Sequence, residues 1–242
     1  MRKEVLRSLA PTGRLRAAIN LSNFLLVPKI LTDGTPVGTS PDLAFRIAEE
    51  LGIECELVLF DRPGSLADKV NSDVWDIGNI ARETARAKTI DFTSPYVLID
   101  AHFMVRKNSE VRELKDVDSV GTTIAVVERS AYDLWLTENL NQATLVRAKS
   151  MEEAGSLFGN DQVSILAGLK PALLGQVANN SDYTILYPRF TAIEQAVGIR
   201  KGNPQALVFL DELIKELVSN GFIESSLKAH NVHKKLSIPS DQ

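Results

Sequence analysis

The chain has 242 residues and a formal net charge of -4, with 44% of its residues hydrophobic against 24% charged. These are ordinary globular values, and the length suits one large domain or two of roughly 100–150 residues. The scattered Lys and Arg of a mildly acidic chain argue against a phosphate-tracking nucleic-acid binder, the single cysteine excludes an intramolecular disulfide, and no apolar run approaches the roughly 20 residues of a membrane span.

The first ten residues are basic, but Glu4 and Arg7 interrupt them and no apolar leader core follows. Removal of a leader ahead of Met1 and a cytosolic location are both compatible with that start. Leu15–Leu21 reads as a first strand. Ser40 is placed as the N-cap and Pro41 as N1 of a helix whose Leu43, Ile47 and Leu51 share one face. Gly52 is its stop. The alternating pattern of Ile53–Phe60 predicts a strand with Cys55 on its apolar side, as plain core. Ser65–Asn71 reads as a helix and Val74–Ile80 as a buried strand.

The apolar stretch Tyr96–Val105 is the next strand, followed by a turn over 116–120 and a strand over Thr123–Val127. Ser130 caps a helix reaching about Leu140, and Ser150 through Glu153 has capping-box spacing. Val163–Ala167 reads as a strand and Lys170-Pro171 as a helix start, and Tyr183–Leu186 ends this region. Glu194–Arg200 returns as a strand. Asn203-Pro204 opens a helix with Leu207, Leu210, Ile214 and Leu217 on its stripe, Gly221 ends it, and a last helix covers Ile223–His230. The tail from Asn231 is polar and reads as frayed. Strands separated by helices of 10–15 residues imply βαβ units and a mostly parallel α/β fold. Ligands of such sheets bind beyond the carboxyl ends of the strands.

Three stretches make the chain specific: Gly38–Ala44 with Gly52-Ile53; Asp76-Ile77-Gly78 with Thr84–Lys88 and Asp91–Tyr96; and Val197–Pro204. Together they resemble the family 3 extracellular solute-binding proteins, the polar amino-acid receptor group of ABC importers. The likeness spans roughly 14–228, and the middle stretch, an arginine ahead of an Asp-Phe-Thr-x-Pro-Tyr run, carries most of it. The resemblance implies a type II, two-lobed venus-flytrap fold without enzymatic activity. Lobe 1 would comprise 1–101 and 192–242 and lobe 2 102–191, with hinge crossovers near 99–103 and 190–194. The implied ligand site is the interlobe cleft. The implied partners are a small carboxylate-bearing molecule and an ABC permease, the implied location is the periplasm, and a monomer is the family expectation.

On that resemblance Arg86 falls where the ligand carboxylate is clamped, a task suited to a guanidinium fork. A surface ion pair with Glu83 or Asp91 is the plainer alternative. Ser130 and the Ala131 amide fall at a helix start that can hold an anion, and Arg129 replaces a customary glycine there. Asn20, Asn23 and Phe24 follow the first strand, where either a turn or polar and aromatic ligand contacts can form. Asn79, Ile80 and Ala81 are expected as pocket wall. Where amino-acid receptors end a lobe 2 strand with an aspartate for the ligand ammonium, this chain has Gly168 or Leu169 and then Lys170. A cation there favours an acidic ligand lacking that ammonium.

No P-loop, dinucleotide glycine fingerprint or nucleophile elbow is present. His230 and His233, at i and i+3, have no partner at metal-site spacing, so neither cofactor nor metal is expected. His102 is read as structural. Two other functions remain open on the same fold: a cytosolic ligand-sensing domain and an enzyme resembling cyclohexadienyl dehydratase.

Overall fold

The structure, a computed structural model, describes residues 2–239. Contact clustering divides the chain into two units, one running up to Leu98 and resuming at Glu194, the other covering Ile99–Ile193. The chain passes between them inside two ten-residue strands, Val97–Arg106 and Thr191–Arg200. The resemblance places these passages at 101/102 and 191/192.

The first unit begins with α1 (Arg2–Leu9), β1 (Arg14–Asn20), the short hairpin β2 (Lys29–Ile30) and β3 (Pro36–Val37), α2 (Thr39–Leu51), β4 (Glu54–Phe60), α3 (Pro63–Asp68), β5 (Ile77–Ala81) and β6 (Ile90–Phe92). β7 (Val97–Arg106) leads into the second unit, which holds β8 (Thr123–Val127), α4 (Ala131–Asn139), β9 (Thr144–Ala148), α5 (Met151–Gly159), β10 (Ile165–Leu169), α6 (Lys170–Asn179) and β11 (Tyr183–Ile185). β12 (Thr191–Arg200) returns to the first unit, completed by α7 (Pro204–Ser219) and α8 (Phe222–Ala229).

In the first unit β1 lies between β4 and β5, parallel to both, and β12 pairs antiparallel with β5 and β6. Leu15, Ala17, Ala18 and Ile19 of β1 are buried, as are all five residues of β5. Central parallel strands covered on both faces require such near-continuous apolar runs. α2 buries Leu43, Ile47 and Leu51 against this sheet and stops at Gly52, which is left-handed. Its start differs from the expectation. The helix begins at Thr39 with Gly38 as N-cap, and Ser40 is buried, its amide donating to the Leu26 carbonyl (3.1 Å). Gly38 sits at φ 154°, where an added Cβ would come within 2.1 Å of the Leu26 oxygen. The backbone approach admits only glycine.

Two further expectations are corrected. Cys55 is half-buried rather than core, because β4 terminates the strand order and has no fully buried residue. Its thiol is nevertheless pushed up to about 11 by burial, with Glu56 adding to the shift. The tail is held instead of frayed as far as it is described: Val232 is buried, and Ser237 pairs with Leu98. Residues 240–242 lie outside the described residues.

In the second unit β8 lies between β9 and β10, parallel to both, and β7 runs antiparallel to β10 and β11. Phe158 and Met104 anchor an apolar cluster with Leu166, Leu173 and Ile185. The Arg106 guanidinium lies over the Phe158 ring at 4.3 Å and pairs with Asp161 at 2.7 Å. The caps read from sequence are present here and in α7. Ser130, Ser150 and Asn203 each accept an amide from three residues ahead.

Candidate functional site

Each unit presents the carboxyl ends of parallel strands, and the candidate residues gather there. In the first unit β1 and β5 are in register at Ile19 and Asn79, so the loops after Asn20 and after Ala81 leave the sheet at one edge. Asn20 Oδ1 accepts the Ser22 amide (3.2 Å) and hydroxyl (2.8 Å), and Asn23 Oδ1 accepts the amides of Leu25 and Leu26 (both 3.3 Å). Both asparagines therefore build the turn through their oxygens. Among the described residues their Nδ2 groups donate to no protein atom, which suits them to an acceptor-bearing ligand. Phe24, between them, is 43% exposed, large for an aromatic ring.

Asn79 and Ala81 share one face of β5, and Ile80 faces the other way. Ile80 packs with Leu66, Val70 and Trp75, so its expected place in a pocket wall is corrected to core. Asn79 is buried. Its Nδ2 donates to the Ser40 carbonyl (2.7 Å), while its Oδ1 has no hydrogen-bond partner. The Ala81 carbonyl accepts Arg86 Nη1 at 3.0 Å. Arg86 lies in a short 3-10 turn over Arg86–Lys88 and is only 5% exposed. That burial sets Arg86 apart from a surface residue. A buried guanidinium needs acceptors or negative charge close by, and the Ala81 bond fixes the direction of its fork.

In the second unit the residues following β8 carry the site features. Ser130 caps α4 by accepting the Asp133 amide (3.2 Å), and Ala131 begins the helix. Asp133, 2% exposed, accepts the Arg129 amide (2.7 Å) and Arg147 Nε (3.0 Å), so a paired carboxylate already serves this helix start. Tyr132 lies beside it, its phenol pushed up to about 12 chiefly by burial. Arg129 has φ 56°, left-handed for a residue that is not glycine. Lys170 follows β10 directly, with its Nζ 5.5 Å from the Tyr187 ring centroid. Gly168 turns toward the core, where a Cβ would meet Met151 Cε at 2.9 Å and Leu173 Cδ2 at 3.2 Å. Strand alternation then leaves Leu169 on the opposite face.

The family model for bacterial extracellular solute-binding proteins, family 3, matches residues 28–231. The chain belongs to that family. Among individual solute-binding relatives, the L-cystine-binding protein TcyJ of Escherichia coli is 25% identical over 199 residues, 80% of this chain and 73% of TcyJ. Among solved structures, the amino acid ABC transporter substrate-binding protein AbpA of Streptococcus pneumoniae, bound to L-arginine, is 23% identical with a TM-score of 0.73, covering 97% of this chain and 100% of AbpA. The ancestral amino acid-binding protein AncCDT-1, a precursor of cyclohexadienyl dehydratase, is 20% identical with a TM-score of 0.71, covering 94% of this chain and 98% of AncCDT-1. At these identities the structural likenesses show a shared fold: the α/β, type II two-lobed arrangement of periplasmic binding proteins.

For a family 3 solute-binding protein the informative departures are local. Asp133 was not singled out from the sequence, although its spacing from Ser130 is a legible capping signal. Tyr187 had no sequence signal, because only the fold brings it to Lys170. His230 Nε2 lies 2.8 Å from Asp42 Oδ2, a carboxylate that also accepts Ser226 Oγ (2.6 Å). These three residues tie α8 to α2. No group of three or more metal-ligating side chains occurs among the described residues, and no helix there is long and apolar enough to cross a membrane.

Proposed function

We propose that this family 3 protein binds a small polar metabolite bearing a carboxylate, an amino acid or organic acid, outside the cytoplasmic membrane and delivers it to an ABC permease. Arg86 receives the carboxylate. Asn20, Asn23, Phe24, Asn79 and Ala81 contribute polar and aromatic wall from the first unit. Ser130, Ala131 and Lys170 are the candidate polar positions of the second unit. One observation carries the reading: Arg86 is a buried guanidinium held by the Ala81 carbonyl at 3.0 Å, at the carboxyl edge of a parallel sheet. A guanidinium fixed there has the fork geometry that matches a carboxylate. The names of TcyJ and AbpA, an L-cystine binder and an amino acid ABC transporter component, agree with this class of ligand.

Calorimetric titration of the chain with a panel of amino acids and carboxylates tests the proposal. The Arg86→Met variant should weaken the best binder by about 30- to 1000-fold, the roughly 2–4 kcal/mol of a buried charge-assisted contact. An affinity that survives the substitution would refute the assigned role. Incubation with prephenate and arogenate should give no turnover. Turnover would favour the dehydratase-like alternative.

A further inference from the structure

Gln195, in the part of β12 that belongs to the first unit, is only 6% exposed. Its backbone is engaged, the carbonyl accepting the Tyr96 amide at 2.8 Å. Its side-chain amide is not: among the described residues no hydrogen bond reaches it, yet unlike the sealed Asn79 Oδ1 it still touches solvent. The aliphatic part of the side chain is packed away while the amide faces an opening.

The sheet register places that opening beside the Arg86 position. β12 and β5 set Gln195 opposite Ala81, and the Arg82 amide donates to the Glu194 carbonyl at 2.8 Å. Arg82 with Glu194 is therefore the hydrogen-bonded pair. Ala81 with Gln195 is the adjacent non-bonded pair, whose Cα atoms come within about 4.5 Å and whose side chains share a face. Asn79 lies on that face as well. Ala81 ends at its Cβ and leaves room there, and its carbonyl holds Arg86 Nη1 at 3.0 Å. Glu194 points to the other face, where its carboxylate accepts Arg82 Nε at 2.7 Å. Val197 and Ile199 follow Gln195 on its own face, so Gln195 is the polar side chain that this part of β12 presents there.

A carboxamide carries a donor and an acceptor side by side. A carboxylate can accept from Gln195 Nε2 but leaves Oε1 facing another oxygen. An ammonium can donate to Oε1 but leaves Nε2 without an acceptor. An amide-type group, carboxamide or ureido, satisfies both atoms through two parallel N–H···O bonds. A site that makes such bonds rejects the analogue lacking one partner, because its own polar atom is then left unpaired.

We infer that Gln195 is a specificity-determining residue that selects, among carboxylate ligands, those bearing a neutral amide-type group. The inference rests on the proposed carboxylate-binding function and deepens it. Arg86 takes the carboxylate and Gln195 reads the amide, both within the first unit.

Calorimetric titration of the full chain with succinamate, succinate and 4-aminobutyrate, and with L-asparagine and L-aspartate, tests it. Succinamate should bind more tightly than succinate and 4-aminobutyrate, or L-asparagine more tightly than L-aspartate, by about tenfold or more. Gln195→Leu should erase that preference by weakening the amide and leaving the acid unchanged. Gln195→Glu, of nearly the same size, should turn the preference from succinamate toward 4-aminobutyrate, a change of selectivity that a merely structural glutamine would not produce. An amide-to-acid ratio that is the same in the parent and in both variants, or a parent that binds the acids as tightly as the amides, overturns the inference. So does loss of every ligand in both variants, which would make Gln195 structural. If in those cases Arg86→Met still abolishes binding, the carboxylate-binding function stands without the inference. If none of the probes binds the parent, both fall.

Discussion

Leu98 and Ser237 form a reciprocal backbone pair, the amide of Leu98 donating to the Ser237 carbonyl at 2.7 Å and that of Ser237 to the Leu98 carbonyl at 2.9 Å. Leu98 is the last residue of the first unit before the chain crosses to the second, so the carboxyl-terminal segment is fastened to the base of a crossing strand. Val232, buried at 3% exposure, holds the intervening segment. A chain ending at Asn231 loses one buried valine, the reciprocal Leu98–Ser237 pair and the bond from the Val232 amide to the Leu227 carbonyl (3.0 Å). It should be destabilised by about 2–4 kcal/mol, read as a lower urea midpoint. An unchanged midpoint would show that the segment contributes nothing to folding.

A second fastening joins the first strand to the turn before β5. The Asp76 carboxylate accepts the Arg16 amide at 2.8 Å, its Nε at 3.1 Å and its Nη2 at 2.7 Å, with the two side chains 13% and 4% exposed for Arg16 and Asp76. The bond to Asp76 raises the Arg16 guanidinium above its already high ordinary value, against the opposing effect of burial. Asp76→Ala removes three hydrogen bonds of Arg16 and leaves this largely buried cation only Asp73, whose exposed carboxylate lies 2.9 Å away, so it should cost about 3 kcal/mol. Chemical denaturation measures it, and a loss below about 1 kcal/mol would mean that water reaches Arg16 freely.

The parts of this fold that were legible are those that local chemistry dictates. Ser130, Ser150 and Asn203 announce helix starts because their oxygens satisfy amides the helix leaves open. The stripe of Leu43, Ile47 and Leu51 announces α2 because the helical period puts them on one face. The misreadings arose where tertiary contact overrides local pattern. Ser40 has an ideal capping side chain, yet the close approach of Leu26 to Gly38 shifts the cap by two residues. Cys55 alternates as core, but β4 is an edge strand and its apolar face is only half covered. β9 went unread because Arg147 and the half-exposed positions around it give a weak alternation.

Candidate binding residues were legible mainly through resemblance. Arg86 was found by its place ahead of the Asp91–Tyr96 run. Its burial was not, because burial depends on packing that no nearby residue encodes. Ile80 was misassigned, since sequence does not say which face of a fully buried strand meets solvent.

The loop before β9 gives a pH prediction. Asp118 accepts amides from Asn141 (2.9 Å), Gln142 (2.7 Å) and Ala143 (2.9 Å), and these donors, that of Ala143 foremost, lower its carboxyl below the ordinary 3.8. A carboxylate lowered in the folded state contributes stability above its unfolded value and loses it as pH falls through the folded one. The parent should therefore melt above the Asp118→Asn variant at pH 7. The gap should narrow as pH drops below 3.8. A gap that is constant across this range would exclude titration of Asp118 as its origin.

The strongest specificity prediction concerns Leu169. Gly168 faces Met151 and Leu173, so position 169 is where a carboxylate at the end of β10 would project away from the core. A single Leu169→Asp change would place that acid beside Lys170, which would neutralise it. The informative variant therefore combines Leu169→Asp with Lys170→Ser, removing the cation while the helix still begins with a good capping neighbour and Pro171. Relative to the parent, this variant should shift the ratio of L-aspartate to succinate affinity by about tenfold or more toward the amino acid, because a carboxylate stands there in place of a cation. Calorimetry with both compounds decides it. An unchanged ratio would show that neither residue meets the ligand.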